Sequence, residues 1–271
     1  MRPMSRQPLA EVFGFPIDNL STDAHRYRSN RLCPYHNRVP SCTKDKARDP
    51  LGVCSVFDGD AAVITCPIRF RQDWLVKDGR SAGNIDIVLA AYDEHGRVID
   101  FGALEVQAVY ISGNVRRPFE HYMHDPDANC TMDWSPNEFY PRPDYLSSSR
   151  KRLAPQLLFK GGILSAWGKK QAVAMDRRFF ESLPSLPEVP STEADMAWLV
   201  YELVRDDMTN RYRLMHHKTA YTRFDSALTR LTVPNVGDLP DFLGYLQARL
   251  DDKLDGGYAP EAPILGDLGD M

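Results

Sequence analysis

Two carboxylates and one amide interrupt apolar stretches in the middle of the chain, and side chains of these types could hold a metal ion. Asp86 lies near the start of the segment 85–92 (IDIVLAAY), and Glu105 and Gln107 are the two polar side chains within 102–109 (GALEVQAV). A Glu inside an otherwise buried strand is costly unless something neutralises its charge. Hard divalent cations prefer oxygen ligands. Asp86 and Glu105 are therefore candidate ligands of a divalent cation.

A predicted β-hairpin determines how close these carboxylates lie. The segment 93–97 (DEHGR) has the composition of a turn between two strands. If that turn centres on His95, Asp86 lies opposite Leu104, give or take one or two positions, and thus beside Glu105. Glu105 and Gln107 share one face because side chains alternate along a strand. The alternative is that both face solvent at a half-exposed sheet edge, but the small and apolar residues around them argue against it.

Four cysteines in the first quarter of the chain form a second candidate metal site. Their spacing is C-x8-C-x11-C-x11-C, which differs from the paired C-x2-C arrangement of common zinc fingers. Four cysteines in a short, turn-rich segment still suit a tetrahedral site for zinc or iron. The alternative is a set of buried thiols. The set is Cys33, Cys42, Cys54 and Cys66; His25 and His36 could substitute as ligands, and we interpret the isolated Cys130 as structural or incidental.

The elements that must position these residues follow from hydrophobic periodicity. The first 66 residues are turn-rich, and a short helix is predicted over 68–77. The hairpin strands cover 85–92 and 98–111, and 112–149 is rich in proline and polar residues, which is typical of a long functional loop. An amphipathic helix is predicted over 150–168, with Pro155 in its first turn. Its expected core-facing residues are Leu153, Leu157, Leu158, Ile163, Leu164 and Trp167.

The second half of the chain alternates short strands and helices. Strands are predicted over 171–175, 196–204 and 212–223, and helices over 177–183 and 242–254. The strand that carries Glu105, the helix after it and the strand at 171–175 form a βαβ unit, which should be right-handed. The predicted fold is therefore an α/β fold with a mixed sheet flanked by helices.

Composition excludes several classes of protein. The 271 residues are 43% hydrophobic and 26% charged, which is ordinary for a soluble globular protein and unlike a disordered chain, a coiled coil or a fibre. The apolar runs are far shorter than the roughly 18 residues of a membrane span. The N-terminal MRPMS has no apolar run, so we expect no signal peptide and a cytoplasmic location. Five cysteines are too few for a disulfide scaffold.

The charge distribution leaves a polyanionic partner possible. The formal net charge is −4, but residues 238–271 hold eight acidic and two basic residues. The acidic balance therefore comes largely from the C-terminal end, and the remainder of the chain could still bind a nucleic acid.

The motifs together resemble one family. The cysteine segments Leu32-Cys-Pro34, Ser41-Cys-Thr-Lys44, Gly52-Val-Cys-Ser55 and Thr65-Cys-Pro67 resemble the N-terminal metal lobe of NotI-type type II restriction endonucleases. The segment 102–107 (GALEVQ) resembles that family's version of the PD-(D/E)xK nuclease motif, with Gln in place of the usual Lys. The segments 151–183 and 196–203 continue the resemblance, which covers about residues 11 to 230.

The resemblance implies a PD-(D/E)xK restriction-endonuclease-like α/β fold, with an N-terminal four-cysteine metal-binding lobe over 1–80 and a nuclease domain over 81–271 that carries an inserted loop at 112–149. It implies a homodimer that cuts double-stranded DNA at a GC-rich palindrome with magnesium. The catalytic residues would be Asp86, Glu105 and Gln107, with Mg²⁺ on Asp86 and Glu105. A structural iron, or zinc, would be bound by Cys33, Cys42, Cys54 and Cys66.

The chemistry of the residues agrees with that reading. Phosphodiester cleavage needs a metal that polarises the phosphate and lowers the pKa of the attacking water. Gln107 cannot act as a general base, so the proton of that water would pass to solvent or to a phosphate oxygen. We expect phosphate contacts from basic groups after the Glu105 strand and along the first long helix. These groups are Arg116, Arg117, Arg150, Lys151, Arg152 and Lys160.

Two alternatives remain at this stage. One is a nuclease of the same fold that serves repair or phage defence without strict sequence specificity. The other is a non-catalytic DNA-binding regulator with a metal lobe. Discrete fragments, a smear or no cleavage at all would separate the three functions.

Overall fold

The computed structural model describes residues 6–35, 41–42, 50–72, 86–233 and 237–255. His36, residues 73–77 of the first predicted helix, and Ile85 lie outside these ranges. The chain has two compact units, a large one over 1–232 and a small one over 233–271. Within the described residues, no helix has the length and apolar character needed to cross a membrane.

The N-terminal part forms a four-stranded antiparallel sheet. Its order is β2-β1-β3-β4, and a 3₁₀ helix, Pro67–Gln72, follows it where the sequence predicts a helix. The sequence predicts a turn-rich segment before residue 66 and does not identify these strands, because they are two to six residues long and lack a clear alternating pattern. The elements are β1 Leu9–Val12, β2 Phe15–Pro16, α1 Thr22–Ser29, β3 Val53–Asp58 and β4 Ala61–Ile64.

The predicted hairpin is confirmed, and the predicted loop after it contains several elements. The hairpin strands are β5 Ile87–Tyr92 and β6 Val98–Gln107. Two short strands within 110–144 pair with each other, and two helices lie between them. These elements are β7 Tyr110–Ser112, α2 Arg116–His124, α3 Pro126–Asn129 and β8 Arg142–Asp144.

The long helix covers 145–166 and is irregular. Three α-helical pieces, α4 Tyr145–Ser148, α5 Ala154–Gln156 and α6 Gly162–Ala166, are joined by π-helical turns at Ser149–Leu153 and Leu157–Gly161. Pro155 therefore lies in the middle of the helix, although the sequence predicts it in the first turn. A proline breaks a regular α-helix because it lacks an N–H and its ring clashes with the preceding turn, and the wider turns lie on both sides of it.

These wide turns also change which side chains face the core. Leu153, Leu157 and Leu164 are buried, as predicted. The same prediction is wrong for Leu158, Ile163 and Trp167, which are 53%, 51% and 63% exposed. A π-turn holds more residues than an α-turn, so a face assigned with the regular helical period drifts along this helix.

The remaining elements complete a mixed five-stranded sheet of order β11-β10-β9-β6-β5. Strands β6, β9 and β10 are parallel, and β5 and β11 pair antiparallel at the two edges. The predicted mixed α/β fold is confirmed; the predictions missed only α8 among these elements. They are β9 Gln171–Asp176, α7 Arg177–Ser182, β10 Met196–Asp206, β11 Arg211–Thr222, α8 Phe224–Thr232 and α9 Leu239–Asp255.

The main core lies between this sheet and the long helix. Trp198 and Val173 on the sheet are fully buried in one cluster with Leu153 and Leu157 of the helix. The indole N–H of Trp198 donates to Thr222 Oγ1 at 3.0 Å, which satisfies its buried polar atom. This packing fixes the helix against the sheet that carries Glu105.

Candidate active site

The hairpin brings Asp86 to Glu105, as the turn predicts. Ile87 pairs with Leu104, so Asp86, one residue earlier, lies beside Glu105 on the neighbouring strand. The backbone N–H of Val106 donates to Asp86 Oδ2 at 2.9 Å, which ties the aspartate to β6. Asp86 is exposed, whereas Glu105 is only 5% exposed. One carboxylate of the pair therefore faces solvent and the other lies inside the protein.

Glu105 has an incomplete set of partners. Its Oε2 accepts from Lys160 Nζ at 2.7 Å. Its other oxygen, Oε1, is buried and has no hydrogen-bond partner among the residues that the structure describes. Burial raises the pKa of the Glu105 carboxyl, and the adjacent Asp86 raises it further, whereas Lys160 opposes the increase. A second cation at Oε1 and Asp86 would compensate this charge, so the donor set suits a divalent metal.

Gln107 lies on the same buried face of β6. It is 4% exposed, and its Nε2 donates to Gln156 Oε1 in α5. The alternative that Glu105 and Gln107 face solvent at a sheet edge is therefore wrong. The amide of Gln107 is held between the sheet and the long helix, two residues beyond Glu105.

The structure places Lys160 in this site, whereas the sequence assigned it only to the DNA-facing surface. Its ammonium contacts Glu105, and its side chain is 20% exposed. The adjacent Gly161 lets the helix backbone lie close to Phe224 and to Gln171 of β9. A Cβ at this position would lie 2.6 Å from Phe224 and 3.0 Å from Gln171 Oε1. The sequence holds one signal for this placement: Lys160 follows Leu157 by three residues and precedes Leu164 by four, which on a regular α-helix is the spacing of residues that share a face.

The other predicted phosphate contacts lie on two elements. Arg116 and Arg117 begin α2, where Arg116 Nη1 lies 3.7 Å from Glu120 Oε1 and Arg117 is exposed. Arg150, Lys151 and Arg152 are exposed on the first π-helical turn of the long helix. The guanidinium of Arg152 lies over the Tyr110 ring at 4.8 Å from its centroid.

The four N-terminal cysteines line one small cavity. Cys54 is on β3, and Cys66 follows β4, next to the position that pairs with Cys54. Cys33 and Cys42 flank the bridge between Leu32 and Ser41. The cavity has a volume of about 10 Å³, and its lining includes all four cysteines. The topology thus gathers residues that are up to 33 positions apart in the sequence.

The sulfurs are not arranged as metal ligands in this structure. Within the described ranges, no three His, Cys, Asp or Glu side chains form a group that could hold a metal ion. His25 lies 3.3 Å from Asp127 and does not line the cysteine cavity. Cys130 packs against the apolar cluster of the N-terminal sheet, and its Sγ lies 3.2 Å from the Asp127 carbonyl oxygen, as expected for a structural residue. The five cysteines form no disulfide.

A comparison with protein families gives a match over most of the chain. The model described as restriction endonuclease NotI matches residues 11–79 and 76–214, which include the four N-terminal cysteines and the Asp86, Glu105 and Gln107 positions. A search of curated proteins finds no match. The family match covers well over half of the chain. The chain therefore belongs to the NotI restriction endonuclease family, and it is a deoxyribonuclease that cleaves DNA at specific sites.

Proposed function

We propose that this restriction endonuclease makes magnesium-dependent double-strand cuts in DNA, with Mg²⁺ held by Asp86 and Glu105. The observation that carries the proposal is the buried Glu105 Oε1, which lacks a hydrogen-bond partner among the described residues and lies beside a second carboxylate. A buried, unsatisfied carboxylate oxygen destabilises the fold unless a ligand compensates it. Family membership identifies DNA as the substrate, and the proposed metal ligands are the carboxylates of Asp86 and Glu105.

Each residue of the site has one role in the proposed reaction. Bound Mg²⁺ would polarise the scissile phosphate and lower the pKa of the attacking water. Asp86 and Glu105 would bind it through oxygen. Gln107, fixed by Gln156, would orient the water through its amide. An amide is not a base at neutral pH, so the proton leaves to solvent or to a phosphate oxygen.

A long DNA of known sequence tests the function. Digestion in Mg²⁺, in Ca²⁺ and in EDTA is followed by sequencing of the fragment ends. Discrete fragments with one common end sequence, formed in Mg²⁺ only, support the proposal; the ends then give the recognition site and the stagger of the cut. A smear would indicate a nuclease without strict specificity, and DNA binding without cleavage would indicate a regulator.

The expected recognition sequence is a GC-rich palindrome that is read by a homodimer. A palindrome matches a two-fold symmetric dimer, because each subunit then meets the same half-site and cuts one strand. Exposed apolar side chains on the outer side of the long helix support a subunit contact: Leu158, Phe159 and Ile163 are each more than half exposed. Sedimentation of the purified protein with and without its DNA measures the subunit number.

Phosphate contacts are proposed for the exposed basic groups on α2 and on the long helix. Each contact removed lowers the slope of log K against log salt by about one. The Arg116→Ala/Arg117→Ala protein is compared with wild type in Ca²⁺ across a salt series, and Arg223→Ala, which removes an exposed arginine paired with Glu193, serves as the control. An unchanged slope would place α2 away from the DNA.

The cysteine cavity is proposed as a structural site for iron or zinc, bound by Cys33, Cys42, Cys54 and Cys66. Four thiolates suit a tetrahedral metal, and all four cysteines border one cavity, although their side chains would have to turn towards a common centre to bind the ion. The buried guanidinium of Arg69 interacts electrostatically with Cys54 and would offset part of the thiolate charge. Metal analysis of Cys42→Ser should show loss of the ion and lower stability, whereas Cys130→Ser should retain it. Full metal occupancy in the Cys42→Ser protein would contradict the proposal.

A further inference from the structure

Lys160 occupies a position that stability alone does not explain. Its Nζ lies 2.7 Å from Glu105 Oε2, and the two side chains are 20% and 7% exposed. A mostly buried ion pair is weak evidence for stability, because removing two charges from water offsets much of their attraction. The sheet and helix could pack there with apolar side chains. A charged pair at the centre of the proposed cleavage site therefore requires a functional reason.

The part of the site that lies on β6 lacks a positively charged side chain. Asp86 and Glu105 bring two carboxylates, and Gln107, two residues beyond Glu105, brings only a neutral amide. Phosphodiester cleavage develops negative charge on the phosphate oxygens, and positively charged donors stabilise it most strongly. Within the described part of the site, the cation that contacts Glu105 is Lys160.

The fold holds this lysine close to the sheet. Gly161 packs against Phe224 and Gln171 at distances that leave no room for a Cβ. Leu157 and Leu164, which lie on either side of Lys160 along the helix, are both buried. The lysine stem is flexible and one-fifth of the side chain reaches solvent. Its ammonium can therefore contact both Glu105 and a phosphate that enters the site.

We propose that Lys160 is a catalytic residue that contacts the scissile phosphate and stabilises the negative charge of the transition state, a role that the neutral Gln107 cannot fill. The proposal rests on the function proposed above. Lys160 thus belongs to the cleavage site and not to the general DNA-facing surface.

Single-turnover cleavage with a matched control tests the role. Lys160→Met keeps the length of the stem and removes the charge, and Lys169→Met removes a similar lysine, which pairs with Asp100 at 2.6 Å near the other end of β6. We expect Lys160→Met to cut at least about 100-fold more slowly in Mg²⁺ and Lys169→Met to stay within about threefold of wild type. If Lys160→Met does not fold, Lys160→Gln is used in its place, because the amide of the introduced glutamine can still donate to Glu105. The expected loss of cleavage rate is the same.

A rescue variant separates catalysis from a purely structural role. Gln107 and Glu105 share one face of β6, so Gln107→Lys places an ammonium in the same site from the strand. The double variant Lys160→Met/Gln107→Lys should therefore cut at least about tenfold faster than Lys160→Met alone, because the missing charge is replaced. A structural role of Lys160 predicts no such recovery.

A binding measurement without metal gives an independent readout. In EDTA, a methylphosphonate at the scissile position removes one phosphate charge from the DNA. Wild-type affinity should fall about tenfold, as expected for loss of a charged hydrogen bond, and that of Lys160→Met should change little. Cleavage by Lys160→Met within about threefold of wild type, or an equal methylphosphonate effect in both proteins, would overturn the role of Lys160. Absence of cleavage by the wild-type protein would instead overturn the proposed function.

Discussion

Glu105 is the residue at which sequence and structure agree most closely. The small and apolar residues around it predict its burial, the turn at 93–97 predicts its neighbour Asp86, and both predictions are confirmed. Lys160 was predicted only as a surface group, because a lysine on an amphipathic helix is usually solvated. The sequence held one signal of its partial burial, which is its helical spacing from Leu157 and Leu164.

The raised pKa of Glu105 predicts a pH-dependent need for metal. Burial is the main cause of the increase. As pH falls, Glu105 therefore takes up a proton at a higher pH than an exposed glutamate does, and a protonated carboxyl cannot bind Mg²⁺. The Mg²⁺ concentration for half-maximal cleavage should rise as the pH is lowered from about 8 to about 5. This pH range lies above the range in which an exposed glutamate titrates.

Cleavage rates measured over a Mg²⁺ series at each pH check this dependence. Asp100→Asn is a suitable control, because Asp100 is an exposed carboxylate at the opposite end of β6. A half-maximal concentration that does not change over this range would show that protonation of Glu105 does not compete with metal binding.

At the scale of elements, strong local patterns predicted the five-stranded sheet and weak ones failed. The hairpin turn and strands β9 and β10 were identified because both strands are apolar runs with clear boundaries, and β11 was identified although it is mostly polar. The N-terminal strands were missed because their pairing depends on contacts distant in the sequence, such as β1 with β3. The face of the long helix was partly misassigned because its π-turns depend on the packed structure.

Asp176 joins two of these elements and should make stability depend on pH. Its Oδ1 accepts from the Arg178 N–H at 2.8 Å and caps α7, and its Oδ2 accepts from the Ile64 N–H of β4 at 3.2 Å. Burial raises its pKa to about 7. The folded state therefore binds this proton more tightly than the unfolded chain, so the contribution of Asp176 is greatest below the usual Asp range and is lost as pH rises to about 7.

Asp176→Asn should flatten this dependence, because the amide keeps an acceptor but has no charge to bury. Urea unfolding at several pH values between about 4 and 8 measures the free energy of unfolding. Asp144→Asn is the control: Asp144 caps α4, and its pKa is lowered, chiefly by the backbone hydrogen bond from Ser147. That carboxylate is ionised over most of the range, so its replacement should leave the slope unchanged. An equal slope in wild type and Asp176→Asn would contradict the assignment.

At the scale of the molecule, a buried ion pair links the N-terminal sheet to the five-stranded sheet. Arg69 Nε lies 3.2 Å from Glu11 Oε2, and both side chains are fully buried. Ser55 donates to the same oxygen, and Arg69 Nη2 donates to the Tyr212 carbonyl of β11 at 2.9 Å. The guanidinium also lies over the Tyr35 ring. This network connects the sheet that carries Cys54 to an edge of the sheet that carries Glu105.

Arg69→Met should therefore lower the free energy of unfolding by about 3–5 kcal/mol, because Glu11 would remain buried without its partner. The double variant Glu11→Leu/Arg69→Met should recover part of that loss. Arg223→Met, which breaks the exposed pair with Glu193, should lower it by less than about 1 kcal/mol. Chemical denaturation of the four proteins gives these values, and a loss for Arg69→Met no larger than for Arg223→Met would contradict the role of the network.

The most direct test of the Asp86 and Glu105 site is single-turnover cleavage of the enzyme's own recognition DNA by Glu105→Gln. The amide keeps the size of the side chain and removes the charge that binds the metal. We expect cleavage in Mg²⁺ to be at least about 100-fold slower, while DNA affinity in EDTA stays within about threefold of wild type, since Glu105 is assigned no DNA contact. Cleavage by Glu105→Gln at the wild-type rate would show that the metal and the chemistry lie elsewhere in the protein.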